Sequence, residues 1–172
     1  MKQKAKLTFG LLIGFLVAIL LDQWTKLLAV KHLMGQSPQP VVKDVFEFYY
    51  SENRGAAFGM LQGKQFFFLF VAIVVLSAAV FAVIRMPANR KYMPLHLIAM
   101  FLSAGAVGNM IDRFIRGYVV DFLYFKLIDF PIFNVADCYV TISMTVFLFM
   151  FLFYYKEEDL AYLSFKKKEG MD

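Results

Sequence analysis

The stretch SAGAVGNMIDRFIRGYVVDF, Ser103–Phe122, decides how the chain reads. It opens with small and apolar residues, as a helix in lipid would, and then places Asp112, Arg113, Arg116 and Asp121 within ten positions. An ionised side chain at the centre of a bilayer costs at least about 2.5–3.5 kcal/mol, so such a cluster marks either a boundary of the membrane or a site. The composition selects the setting. Hydrophobic residues make up 60% of the 172 and charged residues 18%, with 21 phenylalanines. A soluble domain has about 45–50% apolar and about 25% charged residues. Much of this surface is therefore solvated by lipid.

Working outward, four segments approach the roughly 20 apolar residues that a spanning helix needs. They cover about 7–30, 66–84, 94–112 and 138–155. The first follows Lys2, Lys4 and Lys6, as a secretory signal would, but no small-x-small cleavage site follows it, and LLDQWTKLL comes instead. The expectation is one integral membrane domain over residues 1–172, all-α, with four transmembrane helices. The stretch 41–61, VVKDVFEFYYSENRGAAFGML, mixes β-branched and aromatic residues around a turn-like Glu52-Asn53-Arg54-Gly55. It predicts a small β-containing insertion packed on the outer face.

Lys and Arg in short flanks set orientation. Lys2, Lys4 and Lys6, then Arg85, Arg90 and Lys91, then Lys156 and Lys166–Lys168 all fall on one side of a four-span chain. That side, with both termini, is expected to be cytoplasmic, and segments 31–65 and 112–137 extracytoplasmic. The net charge of +5 is spent on these flanks, so no nucleic-acid partner is expected. One cysteine, Cys138, excludes an internal disulfide and a cysteine-based metal cluster. His32 and His96 lie far apart in sequence, and neither a metal nor another cofactor is expected.

The polar residues collect at the outward helix ends. Asp22 and Lys26 are spaced i,i+4, as an anchoring ion pair is. Asn109, Asp112 and Arg113 share one helix face, with Arg113 and Asp112 placed to form an interfacial salt bridge. Asn134 and Asp137 fit an N-cap and its third helical position. Asp121 and Asp137 both sit among apolar residues, and two carboxylates in an apolar site cannot easily both ionise. One base and one acid at the same pH can drive water onto an amide without a serine or cysteine nucleophile. The small residues Ser103, Ala104, Gly105, Ala106 and Gly108 allow close helix approach, either within the protein or as a groove for a substrate helix. Two other readings use the same residues: a small transporter with a charge relay, and an assembly factor whose polar cluster is structural.

Five motifs in order, LDQWTK, ENRGAAFG, SAGAVGNMIDR, GYVVDF and FNVADCYVTIS, resemble the lipoprotein signal peptidase (signal peptidase II) family over almost the whole chain. Ala104 stands where that family often has glycine. The resemblance implies an aspartyl endopeptidase of the bacterial cytoplasmic membrane, with Asp121 and Asp137 catalytic. It implies supporting or substrate-contacting roles for Asp22, Lys26, Asn53, Arg54, Gly105, Asn109, Asp112, Arg113 and Asn134. It further implies prolipoprotein substrates carrying a diacylglyceryl-cysteine, cleavage just before that cysteine, contact with membrane lipid, and inhibition by globomycin; nothing in the sequence demands more than a monomer, which is the expected state.

Overall fold

The structure is a computed structural model that describes residues 2–55 and 64–163. Four helices, α1 (Lys2–Leu33), α2 (Gln65–Arg85), α3 (Met93–Arg116) and α4 (Val135–Phe153), are long and apolar enough to cross a membrane. Their most apolar windows have mean hydropathies of 2.0, 3.1, 1.5 and 1.9. In α2 Ala79 is buried and most other side chains are exposed, whereas 44% of the window of α3 is buried within the protein. The reason is position: α3 packs against α1, α2 and α4, and the outer helices turn phenylalanines such as Phe66, Phe70, Phe149 and Phe153 outward, where lipid replaces a protein core.

The helix ends are set by local chemistry. After α1, Gly35 takes φ 74°, and after α3 Gly117 takes φ 79° and donates its N–H to Arg113 O at 3.2 Å. Both are left-handed positions that suit glycine. Pro94 sits in the first turn of α3, where its missing N–H costs nothing. Pro87 follows α2 directly after Met86, whose N–H still reaches Ala82 O at 2.8 Å.

At one end of the bundle lies an antiparallel sheet, β1 (Gln39–Val42), β2 (Phe46–Asn53) and β3 (Val119–Tyr124), in that order. Side chains on a strand alternate between faces. In β3 this sends Val120 and Phe122 onto Ala29 and Leu33 of α1, and leaves Asp121 facing the other way. The register pairs Ser51 with Asp121 and Asn53 with Val119. At the opposite end, Tyr92 stacks on Tyr155 with ring centroids 6.0 Å apart. The short 3-10 segment Glu157–Leu163 closes over them, held by Tyr92 Oη to Asp159 O at 2.9 Å.

The four expected spans are present with shifted bounds. α1 starts at Lys2 and α3 continues through Arg116, because a helix backbone satisfies its own hydrogen bonds whether the side chains face lipid or water. Hydropathy marks depth and not where the helix stops. The expected 41–61 insertion is a two-strand hairpin starting at Gln39; its residues 56–61 lie outside the described residues, as do Lys166–Lys168. The third strand, read from sequence only as a motif, is supplied by VVDFLY from beyond α3.

The small-residue stripe packs inside the protein. A Cβ on Gly105 would lie 2.5 Å from Ala136 O and 2.7 Å from Val140 Cγ2 on α4, and one on Gly108 would lie 2.5 Å from Asp22 Oδ2. This face is thus not the docking groove that sequence left open. Gly105→Ala is expected to cost about 1–3 kcal/mol by overpacking and to lower the thermal unfolding midpoint in detergent by several degrees. Gly10→Ala, where a Cβ meets nothing within 4 Å, should leave it unchanged. Equal midpoints for the two would show that α3 and α4 are not so closely fitted.

Candidate active site

The polar cluster is built from α1 inward. Lys26 is fully buried, and its ammonium lies 2.9 Å from Asp22 Oδ2, 3.2 Å from Asp112 Oδ2 and 2.9 Å from Asn109 Oδ1. Three N–H donors meet three acceptors, two of them on α3. The expected Asp22–Lys26 pair is present. The expected Asp112–Arg113 bridge is not. Asp112 instead pairs with Lys26, sits 3.6 Å from Arg116 Nε, and accepts the N–H of Val120 at 3.1 Å. Adjacent residues on a helix diverge by about 100°, so Arg113 points elsewhere. Its guanidinium lies 4.5 Å over the Phe68 ring and donates to Gly55 O at 3.2 Å.

The start of α4 is where this cluster meets the second carboxylate. Asn134 caps the helix by accepting the Asp137 N–H at 3.0 Å, and Asp137 Oδ2 accepts the Asn134 N–H at 3.1 Å. Asp22 Oδ1 accepts the Ala136 N–H at 2.9 Å. The exposed donors of a helix start are therefore taken up by two acidic side chains and one amide. The capping reading of Asn134 and Asp137 holds, and it coexists with a role in the site.

Asp121, only 2% exposed, is reached from both sides. Asn53 Nδ2 donates to Oδ2 at 2.9 Å, and Asn134 Nδ2 donates to Oδ1 at 2.6 Å. Asn134 Nδ2 also lies 3.1 Å from Asn109 Oδ1, while Asn109 Nδ2 donates to Asp137 Oδ1 at 2.7 Å. Lys26 and Asn134 both donate to Asn109 Oδ1, which fixes the Asn109 amide with its N–H groups towards Asp137. Burial, and then the negative charge of nearby Asp137, push the Asp121 carboxyl up to about 7 from its ordinary 3.8. Two acids in one buried network, one of them holding its proton near neutrality, can supply a base and an acid together.

Beside this network an apolar cavity of about 580 Å³ touches Asn53 and Asp137 and is walled by Phe125, Ile128, Phe130, Phe133 and Ile142. A smaller one, about 260 Å³, lies between α2 and α3 and ends at Arg113. Of the residues singled out from sequence, Asp22, Lys26, Asn53, Asn109, Asp112, Asp121, Asn134 and Asp137 form one connected set. Arg113 stands at its edge, and Gly105 contributes packing. Arg54 does not join it: the side chain pairs with Glu52 at 2.8 Å and lies 5.3 Å over Tyr118. Sequence reasoning passed over Gln23, whose amide donates to Asp22 Oδ2 and Gly108 O at 3.1 Å each, and left Arg116 without a partner. The i,i+4 spacing of Asp112 and Arg116 was the available signal. Among the described residues no group of three or more His, Cys, Asp or Glu is arranged to hold a metal ion.

Lys26→Met leaves two buried carboxylates without their shared cation and is expected to destabilise the protein by about 3–5 kcal/mol. The midpoint in detergent should fall sharply, and an unchanged midpoint would mean that water solvates Asp22 and Asp112.

Residues 14–153 match the family model described as Signal peptidase (SPase) II. The chain is similar to the lipoprotein signal peptidase of Caldanaerobacter subterraneus subsp. tengcongensis, 45% identical over 136 residues that cover 78% of this chain and 90% of the relative. It is similar also to that of Brevibacillus brevis, 46% identical over 132 residues, covering 77% and 87%. A solved bacterial membrane enzyme, determined by the in meso method, superposes with TM-score 0.72 at 29% identity, covering 95% of this chain and 94% of that one. A second gives 0.73 at 30%, covering 85% and 94%.

Proposed function

Since the chain belongs to the signal peptidase II family and removes signal peptides from prolipoproteins, we propose that it does so as an aspartic-type endopeptidase, with Asp121 and Asp137 as its catalytic carboxylates. The observation that carries this reading is the Asn109–Asn134 bridge, which ties two buried carboxylates of different elements into one network beside an apolar cavity. Asp137 lies at the positive end of α4 and accepts two N–H groups, which favours it as the charged member. Asp121 then keeps the proton that the pair shares.

In the reaction, Asp137 takes a proton from water as its oxygen adds to the amide carbon. Asp121 donates to the carbonyl oxygen as charge develops there. Collapse of the tetrahedral species breaks the C–N bond, the proton on Asp137 passes to the leaving amine, and one hydroxyl proton of the tetrahedral species returns to Asp121 as the carboxyl product forms. Asn53, Asn109 and Asn134 hold the carboxylates in place, and the Lys26 cluster holds Asn109. Arg113 lends positive charge at the edge.

The substrate is a prolipoprotein whose cysteine carries a diacylglyceryl group, cut just before that cysteine. The phenylalanine-walled cavity at Asp137 supports a substrate that arrives from the lipid phase. The fold acts as a single membrane domain and as a monomer in the bacterial cytoplasmic membrane. The sheet end is extracytoplasmic and the termini cytoplasmic, because Lys4, Arg85, Arg90, Lys91 and Lys156 lie at the end away from the sheet.

Asp121→Asn and Asp137→Asn should each lower the cleavage rate of a diacylglyceryl-modified prolipoprotein by at least about 10²–10⁴-fold, read on a gel, with membrane insertion intact. Processing at the wild-type rate in either variant would remove the assignment. The pH profile gives a separate check. Asp121 holds its proton below about 7 and loses it above, so kcat should fall as pH rises through about 7, by about tenfold per unit once the acid is ionised. A rate that keeps rising to pH 9 would show that the proton on Asp121 is not used.

A further inference from the structure

Residues 125–133, FKLIDFPIF, leave β3 and return to α4 as a hook around one 3-10 turn, Lys126–Ile128. Leu127 and Ile128 at its tip are each 68% exposed, and Phe125 and Phe130 are exposed beside them. Neighbouring large apolar side chains left bare on a protein mark a surface that something covers.

Three features of the hook identify that cover as lipid. Its two charged side chains are held back by the sheet and its first turn. Lys126 Nζ lies 2.8 Å from Glu47 Oε1 and 3.4 Å from Asp44 Oδ1, and Asp129 Oδ1 accepts the Tyr124 hydroxyl at 2.6 Å. Its backbone is closed within the protein. The N–H groups of Leu127, Asp129, Phe130 and Phe133 are taken by Val45 O, Lys126 O, Phe125 O and Leu123 O at 3.0–3.3 Å, and Pro131 has no N–H to satisfy. Irregular backbone can border hydrocarbon only where its polar groups are met inside the protein. The apolar surface is also continuous with that of a spanning helix. Ile128 and Phe130 line the same cavity as Ile142, which is exposed on α4. Ile142 lies seven residues in from Val135, the first residue of α4, and so about 10 Å along it at a rise of about 1.5 Å per residue. The hook and the first two turns of a membrane-spanning helix therefore face each other across the cavity.

We propose that the hook is a membrane wedge, with Leu127, Ile128 and Phe130 seated in the lipid leaflet on the sheet side. Its partner is the leaflet itself, at the level where acyl chains meet headgroups, and no particular headgroup is selected. The wedge sets how deep the sheet and the start of α4 sit, and with them the cavity at Asp137. It rests on the membrane-spanning helices and not on the assignment of the catalytic pair.

The test uses the whole protein reconstituted in phosphatidylcholine vesicles whose acyl chains carry bromine, which quenches tryptophan on contact, with iodide as the quencher from water. The chain has one tryptophan, Trp24, exposed on α1 between Asp22 and Lys26, and wild type gives the signal of a lipid-facing ring at the level of the polar cluster. In a Trp24→Phe background, Leu127→Trp adds a reporter at the tip that does not line the cavity, and Phe130→Trp adds a second should the first fail to fold. Each reporter is expected to lose as much emission as Trp24 to lipids brominated high on the chain, and less to lipids brominated near its end. Iodide should quench it severalfold less than it quenches free tryptophan. Strong quenching by iodide with little by brominated lipid would place the hook in water and overturn the proposal. Shielding from both quenchers would mean that protein covers the hook, and shielding that appears only when prolipoprotein is added would assign it to the substrate; either result also overturns the proposal. Neither readout is cleavage, so failure here leaves the peptidase reading standing.

Discussion

The Lys26 ammonium is the constraint on which the rest of this structure depends. Buried charges in a bilayer-facing bundle have no water to fall back on, so each must find its partners inside the protein. Lys26 finds three, and the choice dictates which helices are neighbours: α1 must lie against α3 for Asp112 and Asn109 to reach it. Asp22, held by the same ammonium, spends its other oxygen on the first turn of α4. Asp112 spends the same oxygen that meets Lys26 on the backbone of β3. One cation thereby fixes the mutual placement of three helices and a strand.

The two carboxylates of the proposed pair inherit their positions from that arrangement. Asp137 is located by a helix cap, and Asp121 by strand alternation, which turns it away from the α1 contact made by Val120 and Phe122. Neither device is specific to catalysis. The asparagines between them convert two pieces of ordinary secondary structure into a pair, since an amide can accept from Lys26 on one side and donate to a carboxylate on the other. The hydrogen bonds that join α1, α3, α4 and β3 are the same ones that position the proposed pair.

The molecule separates its solvents along its length. One end carries the sheet, the buried acids and the cavity at Asp137. The other carries basic side chains and stacked tyrosines. Between them the outer helices turn apolar side chains to lipid, and α3, packed against α1, α2 and α4, is the helix most given over to protein contact.

Much of this was legible in the sequence. Four apolar runs predict four helices because the bilayer admits few other spanning structures, and a boundary cluster of acids and amides marks the site because charge at that depth is retained only where it is used or paired. The i,i+4 pairing of Asp22 with Lys26 and the capping of α4 by Asn134 were readable because both are local, made within one or two helical turns. What sequence left unresolved is long-range. That Asp112 answers to Lys26 and Arg116 and not to Arg113, that VVDFLY completes the sheet begun at Gln39, that Gly105 and Gly108 face Ala136 and Asp22, and that Arg54 turns to Glu52 all depend on which surfaces meet. Spacing along a helix says which residues share a face. Only the packed tertiary structure decides what that face touches, because a buried charge is satisfied by whichever partner the neighbouring element brings within about 3 Å.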